Sequence, residues 1–178
     1  GIQSLEDKKT RYTANRGIIA LRDEISAYLS RRFGLEYDPQ TDILVSVGGS
    51  EGIDCAVRSV INPGDEVIIP QPSFVCYEPI VLLAGGVPVI IETVAENNFR
   101  ITPQQLEDSI TDKTKLLILP YPCNPTGAIM ERDDLEKIAA VLRKTNVLVL
   151  SDEIYGELTY ANSHVSIASI DGMKERTM

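Results

Sequence analysis

A glycine-rich stretch, Val47-Gly48-Gly49-Ser50-Glu51-Gly52, could bind an anion. Glycines let a backbone approach an anion closely, and the free N–H groups at the start of a helix point toward it with the positive end of the helix dipole. The hydroxyl of Ser50 could add a hydrogen bond. The same residues also suit an ordinary tight turn in which Ser50 caps a helix, and their spacing fails the GxGxxG pattern of dinucleotide sites. Taken alone, the stretch favours the ordinary turn.

Two proline-rich stretches could hold an aromatic ring and an amide in fixed directions. Residues 70–77 (PQPSFVCY) contain Phe74, whose ring could form a flat wall for a planar ligand, although a single Phe is more typical of a core. Residues 120–127 (PYPCNPTG) contain Asn124 between prolines, which would present its amide in one direction as a donor and acceptor. A surface turn is the competing interpretation, because Asn-Pro and Thr-Gly both favour turns.

A fourth stretch, Ser151-Asp152-Glu153-Ile154-Tyr155, follows an apolar segment. A carboxylate at the mouth of a parallel sheet is costly to desolvate unless it has a cationic or donor partner. Asp152 would therefore suit a protonated ring nitrogen, and Tyr155 could return its hydroxyl to the same side. The alternative is a pair of solvated acids at the point where the chain leaves a strand.

Short apolar strands that alternate with helices would position these four stretches. Strands are predicted at residues 43–47, 66–69, 87–91, 115–119 and 147–150. Helices are predicted at residues 17–33, 50–61, 74–84, 103–110 and 132–142, and Thr102 with Gln105 gives the fourth helix a capping box. The alternation predicts an α/β fold, a three-layer α/β/α sandwich with a mostly parallel central sheet. In such folds ligands bind beyond the carboxyl ends of the strands.

The composition disfavours several classes of protein. The 178 residues carry 17 basic and 26 acidic side chains, and the net charge of −9 argues against nucleic acid as a partner. Cys55, Cys76 and Cys123 form no CxxC pair, so we expect no disulfide framework, no metal site and a cytoplasmic location. The longest apolar stretch is interrupted and too short for a membrane helix. We see no signal peptide, and the polar start at Gly1 suggests a cut rather than a natural beginning.

Taken together and in this order, the motifs resemble those of the class I/II (fold-type I) pyridoxal-phosphate (PLP) dependent aminotransferases. The matching strings are YTANRG at 12–17, VGGSE at 47–51, NPGDEV at 62–67, PSF at 72–74, NPTG at 124–127 and SDEIY at 151–155. The resemblance implies that residues 1–178 are part of a PLP-binding large domain. Residues 1–40 would be its helical, interface-forming start and residues 41–178 its α/β cofactor-binding part, with the rest of the large domain and the small domain absent.

The resemblance also assigns roles at one end of the cofactor. The backbone of Gly49, Ser50 and Glu51 would hold the phosphate of PLP. In the family, the tyrosine of the first string reaches the phosphate of the partner subunit across a homodimer interface, which would be the role of Tyr12. Phe74 would stack on the pyridine ring.

At the other end of the cofactor, Asp152 would pair with the pyridinium nitrogen. Asn124 and Tyr155 would hydrogen-bond the phenolic oxygen, and Asn124 would also lie near the substrate carboxylate. The resemblance further predicts a cis peptide bond between Asn124 and Pro125. One departure is Cys123, which stands where many relatives have Asn.

The implied activity is transfer of an amino group between an L-amino acid and a 2-oxo acid. In relatives the Schiff-base lysine lies downstream of the aspartate, and the equivalent position of the lysine falls beyond Met178 here. We therefore expect no catalytic residue within residues 1–178 and no activity from them alone. A PLP-dependent carbon-sulfur lyase would need the same cofactor cradle and remains open. A nicotinamide-binding domain and a non-catalytic α/β binding domain are further alternatives.

Overall fold

A computed structural model describes residues 1–160 and 162–178. The chain forms two compact units, Gly1–Val47 and Gly48–Met178. Residues 41–47, which the sequence assigned to the cofactor-binding part, lie in the first unit. Each unit is therefore described by itself.

The first unit contains two helices, α1 (Ile2–Glu6) and α2 (Ile19–Phe33). Helix α2 ends at Gly34, as the sequence predicted; this residue adopts a left-handed conformation with φ 68°, which favours glycine. The guanidinium of the buried Arg22 donates to the carbonyl of Pro39 at 2.6 Å. This contact holds the irregular segment after the helix against α2.

The strand predicted at residues 43–47 is wrong, because this segment is irregular. Its apolar residues do not share one environment: Ile43 is buried, whereas Val47 is 94% exposed. A backbone hydrogen bond from the N–H of Val45 to the carbonyl of Arg16 at 3.1 Å ties the segment to a loop of the same unit. A strand needs a paired neighbour along its length, and this segment belongs to none of the strands of the sheet.

The second unit alternates helices and strands. Its elements in chain order are α3 (Gly49–Val60), β1 (Glu66–Gln71), α4 (Tyr77–Leu83), β2 (Val87–Glu92), α5 (Pro103–Ser109), β3 (Thr114–Leu119), α6 (Arg132–Leu142) and β4 (Leu148–Ser151). The predicted capping box at the start of α5 is confirmed, since the Thr102 side chain accepts from the N–H of Gln105 and the Gln105 side chain accepts from the N–H of Thr102.

The four strands form one parallel sheet in the order β2-β1-β3-β4. Thr177 adds an isolated parallel bridge to Val149 of β4. Because all four strands point the same way, the loops after β1, β3 and β4 emerge at one edge of the sheet, where the proline-rich stretches and the Asp152 stretch begin.

Side chains of the sheet alternate between two hydrophobic cores. On one face Ile68, Leu117 and Val149 pack with α5 and α6; on the other face Leu116 and Ile118 pack with α3 and α4. Strands buried on both faces read as continuous apolar runs, which explains segments such as KLLIL at 115–119. The predicted α/β/α layering is confirmed. Within residues 1–160 and 162–178, no helix has the length and hydropathy needed to span a bilayer.

Candidate functional site

A cavity of about 180 Å³ opens at the edge where the strands end. Its walls come from the start of α3 and from the loops after β1, β3 and β4; they consist of Gly49, Ser50, Ile53, Phe74, Tyr77, Pro122, Asn124, Asp152, Ile154 and Tyr155. Six of the eight residues singled out from the sequence therefore meet at one place, although they are far apart along the chain.

The glycine-rich stretch forms the first turn of α3. Gly48 precedes the helix with φ 121° and ψ 167°, a conformation that is essentially restricted to glycine. Gly49 and Ser50 line the cavity, so the N–H groups of the first turn of α3 lie beside it. The side chain of Glu51 is exposed and does not line the cavity. This end of the cavity suits an anion.

Asp152 lies at the end of β4 and both of its carboxylate oxygens are hydrogen-bonded. The hydroxyl of Tyr77 donates to Oδ2 at 2.8 Å, and the N–H of Ile154 donates to Oδ1 at 3.2 Å. The N–H of Asp152 itself donates to the carbonyl of Leu119 in β3 at 3.1 Å. The carboxylate is therefore held in one orientation at the cavity wall.

Tyr77 is the partner that fixes this carboxylate, and the sequence reasoning missed it. Its ring is 3% exposed, and burial together with the charge and hydrogen bond of Asp152 raises the pKa of Tyr77 far above its ordinary value. The phenol consequently stays neutral at ordinary pH values and donates a hydrogen bond to the carboxylate. The sequence offered one signal for Tyr77, which lies three residues after Phe74 in the proline-rich stretch 70–77.

Phe74 lines the cavity instead of the core. Its ring is 39% exposed and meets the ring of Tyr77 edge to face, with centroids 6.1 Å apart and an interplanar angle of 81°. An edge-to-face contact with a buried ring fixes the plane of Phe74 while leaving part of its surface open. The interpretation as a flat wall therefore fits better than the interpretation as a core residue.

Asn124 lies in the loop after β3, and Tyr155 lies in the loop after the adjacent strand β4. The peptide bond between Asn124 and Pro125 is cis, as the resemblance predicted; the bonds Gln71–Pro72 and Tyr121–Pro122 are also cis. Behind Asn124, the buried Tyr121 donates to the carbonyl of Phe99 at 3.0 Å and accepts from the N–H of Ile101 at 3.2 Å. This anchor attaches the Asn124 loop to the core.

Cys123, the departure from the resembling sequences, has a structural role. The residue is buried, and its thiol donates to the carbonyl of Pro72 at 3.5 Å. This contact joins the two proline-rich stretches behind the cavity. The side chain thus supports the walls and does not line the cavity of about 180 Å³.

Cys76 is a second thiol close to the cavity. Burial raises the pKa of the Cys76 thiol, a hydrogen bond with Ser50 opposes the rise, and the charge of Asp152 adds to it. A thiol with a raised pKa stays protonated near neutral pH and is a poor nucleophile. Cys76 therefore contributes packing and a polar contact to the anion end of the cavity.

Comparison with known proteins identifies the family of this chain. The family model for "Aminotransferase class I and II" matches residues 3–177. The chain belongs to this aminotransferase family. The aromatic aminotransferase from Pyrococcus horikoshii OT3 has the same fold, with a TM-score of 0.96 and 42% sequence identity over 99% of this chain and 48% of that protein.

Curated relatives of this aminotransferase chain agree with the family match. It is 41% identical over 177 residues to an aspartate aminotransferase from Pyrococcus abyssi, and 45% identical over 170 residues to an aspartate aminotransferase from Bacillus sp. strain YM-2. These alignments cover 99% and 95% of this chain but 46% and 43% of the relatives. The chain spans about half the length of the relatives it matches.

Tyr12 is the predicted site residue that stands apart from the cavity residues in the sequence. It belongs to the first unit, and its side chain is fully exposed. Its expected contact is with a partner subunit, so its role stays a prediction.

Proposed function

We propose that the whole protein is a PLP-dependent aminotransferase that moves an amino group between an L-amino acid and a 2-oxo acid. Membership of the aminotransferase family supports the reaction class. The observation that carries the proposal is the oriented carboxylate of Asp152 in a cavity that also contains an aromatic wall and a helix start. These three features match the ring nitrogen, the ring and the phosphate of PLP.

The donor set around the cavity fits this cofactor. The N–H groups of Gly49, Ser50 and Glu51 and the Ser50 hydroxyl would bind the phosphate, because a helix start attracts anions. Phe74 would cover one face of the pyridine ring. A helix start, which attracts anions, and a carboxylate in the same cavity match the opposite charges of the phosphate and the pyridinium nitrogen of PLP.

Asp152 would hold a proton on the pyridine nitrogen. PLP supplies an electron sink when bound, and a protonated ring nitrogen deepens that sink. A carboxylate favours the charged form of a neighbouring NH group. Tyr77 and the N–H of Ile154 occupy one lone pair on each carboxylate oxygen, which leaves a defined direction for the ring NH.

Asn124 and Tyr155 would bind the phenolic oxygen of PLP, and Asn124 would lie near the substrate carboxylate. Both side chains line the cavity, and both can donate hydrogen bonds. We further propose a homodimer in the cytoplasm, in which Tyr12 reaches the phosphate of the partner subunit. The resemblance of the 12–17 stretch to the family supports this arrangement.

The test uses the full-length protein that contains this sequence. We expect it to bind PLP with a visible absorption band and to transfer an amino group from one member of a panel of L-amino acids to 2-oxoglutarate. Asp152→Asn should lower kcat by about 100-fold or more, because the ring proton loses its counter-charge. Asp171→Asn, which alters an exposed carboxylate, should leave kcat unchanged.

Two results would contradict the proposal. One is a wild-type protein that gives no absorption change and no binding with PLP. The other is release of pyruvate and ammonia from cysteine conjugates without transamination, which would favour the carbon-sulfur lyase.

A further inference from the structure

A polar cluster behind the cavity has no part in the contacts described above. Its centre is Glu153, the neighbour of Asp152. Oε1 of Glu153 accepts from the hydroxyls of Ser151 and Ser166, each at 2.8 Å, and Oε2 lies 2.8 Å from Nε2 of His164. Glu153 does not line the cavity, so its carboxylate faces these donors.

The cluster is largely withdrawn from water. The side chains of His164 and Glu153 are 6% and 21% exposed. A carboxylate in such a place is costly unless hydrogen bonds replace its hydration, and here three donors do so. His164 is also the only histidine of the sequence. The cluster is thus a satisfied network and not an accidental surface contact.

The network attaches both sides of Asp152 to the core. Ser151 precedes Asp152 at the end of β4, and Glu153 follows it. Ser166 is itself fixed, because its side chain accepts from the N–H of Ala168 at the start of the 3-10 helix Ile167–Ser169. Ile167 in that helix is 1% exposed. The carboxylate therefore links the Asp152 backbone to a buried helix that lies well downstream in the chain.

The same network supports the turn that carries Tyr155. The N–H of Gly156 donates to the carbonyl of Glu153 at 2.8 Å. A Cβ at Gly156 would lie 3.0 Å from Cδ2 of His164 and 3.1 Å from that carbonyl, so the turn packs tightly on the imidazole. Displacement of the Glu153 side chain would disturb Asp152 and Tyr155 together.

We propose that Glu153 is a positioning residue that aims Asp152 and Tyr155 into the cavity through its hydrogen bonds to Ser151, Ser166 and His164. The inference rests on the proposed function, because the aimed groups are those expected to hold PLP. Glu153 acts through its neighbours and makes no contact with the cofactor. The positioning depends on the three directed hydrogen bonds of Glu153 and not on its charge.

Two substitutions separate geometry from charge. Glu153→Gln keeps the shape and removes the charge, and its amide NH₂ replaces one of the two oxygens that face the serine hydroxyls and the imidazole. Glu153→Asp keeps the charge but is one methylene shorter, so it cannot reach all three donors. Glu136→Gln on α6 is the matched control, because its side chain is 46% exposed and lies 3.8 Å from Arg132.

The first measurement is hydrogen exchange of the full-length protein without PLP. We expect amides in residues 151–156 to exchange about tenfold faster in both Glu153 variants, since the loss of one or two hydrogen bonds loosens the loop. Peptides from α5 and β2 should exchange as in the wild type. The Glu136→Gln variant should match the wild type throughout.

The second measurement is made with PLP bound. Both Glu153 variants should lower kcat on the order of tenfold, with a smaller change in KM, and should shift the pH midpoint of the visible absorption change. Wild-type exchange and a wild-type pH midpoint in both variants would overturn the proposal. So would a wild-type result for Glu153→Asp alone, because charge would then be sufficient.

Failure of this inference is distinguishable from failure of the proposed function. If the wild-type protein does not bind PLP, the proposed function fails, while the exchange measurement still tests whether Glu153 orders residues 151–156. If the wild type binds PLP and transfers amino groups but the Glu153 variants behave as it does, the positioning role alone is refuted.

Discussion

Substitution of Tyr77 by Phe tests the contact that orients Asp152. The change removes only the hydroxyl that donates to Oδ2 at 2.8 Å, and it leaves the buried ring and its contact with Phe74 in place. A hydrogen bond to a charged group contributes about 1.5–3 kcal/mol. Because Asp152 is only half-buried and water can replace the lost donor, we expect the lower end, about 1.5 kcal/mol at pH 8.

The pH dependence of this loss provides a sharper signature. The pKa of Tyr77 is raised in the folded protein, first by burial, from an ordinary value of 10.0. Above that value the unfolded chain loses the phenolic proton while the folded protein keeps it, so the wild type loses stability as pH rises. At pH 11 this loss of stability of the wild type reaches about 1.4 kcal/mol. The Tyr77→Phe variant has no phenol to ionise, so the difference in stability between the two proteins should shrink from about 1.5 kcal/mol to near zero.

The assay is urea unfolding of the full-length protein without PLP at four pH values between about 8 and 11, which bracket the ordinary tyrosine pKa. Tyr160→Phe is the control, because Tyr160 is 96% exposed and its hydroxyl faces solvent. We expect no loss of stability in this control at the lowest pH. A difference between wild type and Tyr77→Phe that stays constant across the whole range would refute the reasoning, because it would mean that the phenol titrates normally in the folded protein.

Four further substitutions probe the fold around the site, each followed by thermal unfolding of the full-length protein. Gly48→Ala should lower the free energy of unfolding by about 1–3 kcal/mol, because Gly48 has a φ of 121°. Gly49→Ala should lower it little, because a Cβ there would meet only Ile154 at 3.8 Å. Equal losses in the two variants would contradict this reasoning. Thr102→Ala should lose about 1 kcal/mol with the capping box of α5, and an unchanged melting temperature would show that the cap is unnecessary. Tyr121→Phe should lose about 1–2 kcal/mol, because the buried N–H of Ile101 loses its acceptor; a neutral result would mean that water replaces the hydroxyl.

Most of the fold could be predicted from the sequence because local pattern and tertiary environment agree. The strands of the second unit are apolar on both faces, and α6 begins and ends at the predicted residues, Arg132 and Leu142. The strand expected at residues 43–47 failed because an apolar pattern does not supply a pairing partner. The helix expected at residues 74–84 begins at Tyr77, since Phe74 turns toward the cavity and leaves the helical pattern.

The candidate site was predictable where its residues stand in distinctive local strings, and it was not predictable where they depend on distant contacts. Asp152 and Asn124 could be singled out because each follows an apolar strand of a parallel sheet. Tyr77 could not be assigned to Asp152, since 75 positions separate them. The thiol contact of Cys123 with Pro72 spans 51 positions. Such pairs become visible only when the order of the strands is known.

The strand order explains why these distant pairs form at all. Strand β1 lies next to β3, and β3 lies next to β4, so the loop after each strand touches the loop after its neighbour. Cys123, after β3, therefore meets Pro72, after β1, and the N–H of Asp152, after β4, meets Leu119 at the end of β3. Tyr77 spans the remaining gap from the start of α4 to Asp152. The cavity walls are consequently cross-linked by hydrogen bonds between the loops of neighbouring strands and by the contact of Tyr77 with Asp152, which joins the segments after β1 and β4 directly. A change in the segment after β1 should therefore be felt at Asp152 as well as in the loop after β3.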